Sequence, residues 1–133
     1  MVIGFKVTKT NHLIIRCKIN GVEGDFIIDS GASNSCVDIN LSSKFKLNTS
    51  LSNENASSAT NIISKMYISK NNVLEIGKLL NKDFDVLLFD MSHINKTFNH
   101  QSLENIDGII GGDILKEFKA VINYDKKNIR LKF

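Results

Sequence analysis

The stretch Phe26-Ile27-Ile28-Asp29-Ser30-Gly31-Ala32-Ser33 delivers one carboxylate directly after three consecutive apolar residues. An uninterrupted apolar run of this kind is the pattern of a strand buried on both faces. An acid at the end of such a strand is strongly disfavoured unless it is hydrogen-bonded or paired. Ser30-Gly31 then turns the chain at once, since glycine brings no side chain into a tight bend. Taken alone, the triplet also fits an ordinary strand followed by a polar turn. A second segment narrows the choice. Ile106-Asp107-Gly108-Ile109-Ile110-Gly111-Gly112-Asp113-Ile114-Leu115 again runs from an apolar pair into glycine and then an acid. Asp is a good helix N-cap, so Asp113 is expected to open a helix running to about Phe118.

The rest of the chain reads mostly as strands. Residues 1–7 alternate through Ile3, Phe5 and Val7, and residues 13–20 form a half-buried strand. Asn20-Gly21 is a tight-hairpin signal, so residues 22–28 should fold back on that strand and feed into Asp29. A short strand is expected at 35–37. Asp38 should then cap a short helix, with Leu41 and Phe45 on one face, ending near Leu47. Residues 48–61 are rich in Ser, Asn and Thr and read as a loop, with 62–69 as a returning strand. Strands follow at 73–76, 84–89 and 106–110, with 91–105 read as a loop holding a helical turn. Two final strands, 120–124 and 128–133, flank a turn at Asp125-Lys126-Lys127. The chain has no proline, so its turns rely on Gly, Asn and Asp.

Composition excludes several function classes. At 133 residues the chain is one domain's worth, too short for two typical lobes. The net charge of +3 is spread out. Its one basic cluster, Lys126, Lys127, Arg130 and Lys132, reads as a solvated hairpin and not as the dense stripe a nucleic acid requires. Cys17 and Cys36 set no disulfide framework, and Cys17 reads as a small core residue. His12, His93 and His100 show no zinc-like spacing with them, so no metal or other cofactor is expected. No apolar run approaches membrane-spanning length, and no signal-peptide core opens the chain. The chain as given is therefore expected to be soluble, with a cytoplasmic location favoured. A serine hydrolase built on Ser33 or Ser35 lacks the second glycine of a nucleophile elbow and a placed histidine base. A phosphate loop at 108–112 lacks the Lys-Ser/Thr pair.

The two glycine-containing segments together resemble the retropepsin-like aspartic proteases, over roughly residues 7–133. That resemblance implies an all-β acid-protease barrel with one or two short helices, spanning 1–133 as a single domain. It also implies half of a symmetric dimer, because two facing aspartates are needed and this chain carries one Asp-Ser-Gly triplet. By the resemblance, Asp29 is the catalytic acid, and Ser30, Gly31 and Ala32 support its loop. Gly31, Ser33 and Asn34 contact the main chain of a bound peptide, as do Ala59, Thr60 and Asn61 at the tip of a flap. Ile109, Ile110, Gly111 and Asp113 form a structural buttress. The expected partners are a second copy of the chain and a peptide or protein substrate. The stretch at the flap carries no glycine, and Gly112 stands where some retroviral relatives have an arginine that pairs between subunits. Dimer affinity is then expected from the terminal strands and active-site loops. The alternative reading is a non-catalytic peptide-binding or dimerisation module of the same fold.

Overall fold

The computed structural model describes the backbone of residues 1–51, 56, 57 and 63–133. In chain order the strands are β1 (Val2–Gly4), β2 (Lys6–Val7), β3 (Leu13–Ile19), β4 (Val22–Ile28), β5 (Cys36–Asp38), β6 (Ser50–Leu51), β7 (Ala56–Ser57), β8 (Ile63–Ser64), β9 (Tyr67–Ile76) and β10 (Leu79–Phe89). Helix α1 (Ser92–His100), β11 (Gly108–Ile110), helix α2 (Gly112–Glu117), β12 (Val121–Asn123) and β13 (Asn128–Arg130) complete the order.

The principal sheet runs β2-β3-β4-β11-β5-β10-β9-β6, and a further pairing of β3 with β9 closes it into a barrel. The chain is all-β in the sense expected, with two short helices. Asn20 and Gly21 both take positive φ, 51° and 82°, the geometry of a two-residue hairpin, and Ile19 pairs with Val22 across it. β1, β13 and β12 form a separate antiparallel sheet from the two ends of the chain.

β11 departs from the hairpin pattern. It pairs parallel with β4, Ile109 beside Ile27, and antiparallel with β5, Ile109 beside Cys36. It therefore lies between the two strands joined by the Asp29 loop. Burial follows the strand period of two. Phe26 and Ile28 enter the main core with Phe45, Leu74, Leu88 and Ile110. Ile27 points the other way, into a second cluster with Met91, Phe98 and Ile106. β4 is thus covered on both faces, as its unbroken apolar run requires. Full burial of a side chain such as Phe26 contributes about 1.5–3 kcal/mol.

Three local expectations are corrected. The helix expected from Asp38 to Leu47 is a single 3-10 turn, Ile39–Leu41; Asp38 does cap it, accepting from the Asn40 N–H at 3.1 Å. The chain then continues in turns to Lys46, which takes a φ of 55°, and Leu47 N–H bonds to the Ser42 carbonyl. Residues 91–105, expected as a loop with one helical turn, contain the nine-residue helix α1. It is tied down by Asn95, whose side chain donates to and accepts from the backbone of Ile106 at 3.1 and 2.8 Å. The strands expected at 73–76 and 84–89 are the C-terminal parts of longer ones, β9 and β10, joined at Gly77 with φ 57°.

Gly108 is where β11 presses closest on its neighbours. A Cβ there would collide with the Cys36 carbonyl and the Phe26 ring. Gly108→Ala should lower stability by about 1–3 kcal/mol in chemical denaturation, as overpacking does. Gly4→Ala should change it little, since a Cβ at Gly4 meets only the Lys127 carbonyl at 3.9 Å. Equal effects of the two would contradict the close seating of β11.

Candidate active site

Asp29 begins where β4 stops. Its N–H donates to the Ile110 carbonyl at 2.9 Å, which extends the parallel ladder by one step beyond Ile28. Its Oδ1 accepts from the Gly31 N–H at 2.9 Å, and its carbonyl accepts from the Ala32 N–H at 3.2 Å. The turn is therefore closed by Asp29 itself, and Oδ2 has no protein partner among the described residues. Asp29, Ser30, Gly31, Ser33 and Asn34 are all exposed in the single chain. The acid is thus open to solvent, although Phe26, Ile27 and Ile28, which deliver it, are buried.

The support beneath this loop comes from the second segment. The Gly112 N–H donates to the Ala32 carbonyl at 2.6 Å. A Cβ on Gly111 would lie 2.8 Å from the Ala32 carbonyl oxygen and 2.9 Å from that of Asn34, so the loop can sit this low only over glycine. Asp113 does not cap α2, contrary to the sequence expectation. The N-cap is Gly111, without a side-chain bond, and Asp113 lies in the first helical turn. Its carboxylate instead reaches across to Ser35, accepting from the backbone N–H at 3.0 Å and from Oγ at 2.7 Å. Ser35 Oγ in turn accepts from the Gly111 N–H at 2.9 Å. A buried serine thus joins the loop to its support through three hydrogen bonds.

The structure therefore gathers Asp29, Ser30, Gly31, Ala32, Ser33 and Asn34 on one loop above Ile110, Gly111 and Asp113. Ile109, named with that support, also faces a cleft of about 380 Å³ that opens beside Asp29. Its walls include Ile27, Ile94, Phe98, His12 and Tyr124. Ala59, Thr60 and Asn61 lie outside the described residues. The segments around them form a hairpin, with Ser50 paired to Ile68 and Ala56 to Ser64. Sequence reasoning missed Ser35 as a structural link and α1 as a cleft wall. Ser35 has no sequence signature, but Met91, Ile94 and Phe98 follow helical spacing and carry that signal.

Both cysteines are buried and unpaired. Burial, and then the nearby charges of Asp113 and Asp29, push the Cys36 thiol up to about 12. Burial likewise raises Cys17, with Asp107 and Asp25 adding to it. A thiol at that value is only about one part in ten thousand thiolate at pH 8. Neither cysteine is poised as a nucleophile. Ser35 Oγ is engaged with Asp113 and Gly111, which leaves it without a histidine base. Among the described residues no group of three metal-ligating side chains converges, and no helix is long and apolar enough to cross a membrane.

Comparison with known proteins agrees with this geometry. A family model described as aspartyl protease matches residues 15–114. The chain belongs to the aspartyl protease family. Among solved structures it is similar to the retroviral protease-like domain of Ddi1 from Leishmania major, at 18% identity over 95% of this chain and 90% of that one, with a TM-score of 0.63. A retropepsin-like aspartic protease from Rickettsia conorii is similar at 17% identity, covering 97% and 88% of the two chains, with a TM-score of 0.60. EIAV protease, solved with the inhibitor HBY-793, is similar at 13% identity, covering 89% and 98%, with a TM-score of 0.64. These likenesses establish a retropepsin-like fold. No curated protein matches the sequence.

Two predictions test this site. Ser35→Ala removes two side-chain hydrogen bonds and strands a buried Gly111 N–H, so stability should fall by about 1–3 kcal/mol in urea denaturation. An unchanged midpoint would mean that Ser35 does not link the loop to its support. In native protein at pH 8, both thiols should resist a disulfide-exchange reagent and react only on unfolding. Rapid labelling of Cys36 would contradict the packing described for β5.

Proposed function

We propose that the chain is one subunit of a homodimeric aspartic endopeptidase, with two copies of Asp29 activating the attacking water. The observation that carries this reading is an exposed carboxylate held on a loop fixed by hydrogen bonds, in a chain of the aspartyl protease family. Each chain supplies one such acid. The surface around the terminal sheet supports a self-complementary contact: Val2, Val121, Tyr124 and Phe133 are exposed there, the last at 70%.

In the proposed dimer the two Asp29 carboxylates share one proton, as facing acids in aspartic proteases do, because two adjacent like charges do not both ionise. The ionised member takes a proton from water as it attacks the peptide carbonyl. The protonated member donates to the carbonyl oxygen as charge develops there. Both protonation steps belong to the pair. The Gly31 N–H bond to Oδ1 fixes the carboxylate plane, and the Ile110 carbonyl fixes the backbone behind it. In this reading the Ser30 hydroxyl bonds across the dimer axis, and Gly31, Ser33 and Asn34 receive the substrate main chain. In this reading the hairpin built on β6 and β9 closes over the substrate; Ala59, Thr60 and Asn61, expected to contact it, lie outside the described residues. The mechanism needs no cofactor.

Asp29→Asn keeps the hydrogen bond from Gly31 to the side-chain oxygen but cannot act as a base. Peptide cleavage should fall by about 10³-fold or more, with circular dichroism and thermal unfolding close to wild type. Undiminished cleavage by the Asn variant would overturn the assignment.

A further inference from the structure

We propose that His12 reads the substrate side chain entering the cleft beside Asp29, and that this side chain has an aromatic body with a neutral hydroxyl at its tip, as tyrosine does. The inference rests on the endopeptidase reading and adds a substrate preference to it.

The imidazole is held from two sides. Nδ1 lies 2.8 Å from Thr10 Oγ1, which is itself 2.9 Å from Thr8 Oγ1. The His12 N–H donates to that same Thr8 oxygen at 3.0 Å, and the His12 carbonyl accepts from the Thr8 N–H at 2.9 Å. On the other side the ring packs against Phe98 of α1, with centroids 5.1 Å apart and planes inclined by 51°. The ring is therefore positioned, and its remaining nitrogen, Nε2, has no protein partner among the described residues. No buried side-chain polar atom is unsatisfied among them either, so Nε2 meets water.

The cleft that His12 borders is walled mainly by apolar side chains, Ile27, Ile94, Phe98 and Ile109 among them, with Asn11 and Tyr124 also lining it. Its volume of about 380 Å³ admits an aromatic side chain. An occupant that is wholly apolar strips the water from Nε2 and returns no hydrogen bond. Charge narrows the choice further. Asp29 borders the same cleft, so a substrate carboxylate is repelled there. The isoleucine and Phe98 walls disfavour a desolvated substrate cation. The titratable groups facing the cleft with His12 are Asp29 and Tyr124; His93, Lys96 and His100 of α1 are exposed and do not line it. A neutral hydroxyl satisfies Nε2 in either tautomer, because it accepts from Nε2–H and donates to a bare nitrogen.

The test measures kcat/KM for peptide pairs that differ only as Tyr against Phe at the residues flanking the cleaved bond. Wild-type protein should prefer Tyr by about tenfold, mostly in KM, as expected for one net hydrogen bond at a partly hydrated site. His12→Leu should abolish the preference, and His12→Gln should restore part of it. Taking the ratio within each variant cancels any general loss of activity. A Tyr-to-Phe ratio of one in wild type, or an unchanged ratio in His12→Leu, overturns the proposal. If wild type cleaves neither peptide, the endopeptidase reading fails, and binding then decides the role of His12. In that case the two peptides are titrated into Asp29→Asn protein while the His12 ring nitrogens are followed by NMR. A shift of Nε2 with the Tyr peptide alone supports the proposal. Equal shifts, or none, overturn it.

Discussion

The geometry around Asp29 depends on β11 lying between β4 and β5. A parallel neighbour on one side and an antiparallel one on the other hold the two ends of the Asp29 loop at fixed separation. The seating tolerates no side chain at Gly108 against β5 or at Gly111 under the loop. It also carries its own polar accounting. The loop backbone, the Gly111 N–H and the Asp113 carboxylate satisfy one another through Ser35, which is 1% exposed. A buried network of this kind is valuable only when it is complete, since a single unpaired member costs more than a bond contributes.

That rigidity has a consequence at the surface. The loop is fixed from below, while its upper side, with Asp29, Ser30, Gly31, Ser33 and Asn34, is exposed. A single chain supplies one exposed carboxylate. In the proposed dimer its chemistry arises from a second copy brought opposite it. The apolar side chains left open on the terminal strands favour that assembly, so on this account folding prepares the acid and association activates it. Helix α1 adds a wall to the adjacent cleft through Ile94 and Phe98, with His12 beside them.

Much of this was legible in the sequence where short-range physics dominates. The unbroken run Phe26-Ile27-Ile28 reads correctly as a strand covered on both faces, and Asn20-Gly21 reads as a tight hairpin turn. The paired glycine-containing segments indicate the family and the barrel. What was not legible depends on contacts distant in sequence. Asp113 looks like an N-cap because acids commonly are, but Ser35, far away in the chain, offers it two donors. The segment after Asp38 carries a helical spacing in Leu41 and Phe45. Its turns end in a left-handed Lys46, and Phe45 packs into the core without a full helix. Helix α1 was hidden by its polar composition, although its buried positions are spaced as a helix requires, and its anchor is the long-range pairing of Asn95 with Ile106.

The central claim is that catalysis needs two Asp29 carboxylates from two copies of one chain. It is tested most directly by mixing wild-type protein with increasing amounts of Asp29→Asn protein at fixed wild-type concentration and following peptide cleavage. The account predicts that activity declines as mixed dimers form, approaching about half in an equal mixture in which the two chains exchange freely. Activity that stays constant through a large excess of the variant, under conditions where sedimentation shows exchange of subunits, would contradict it.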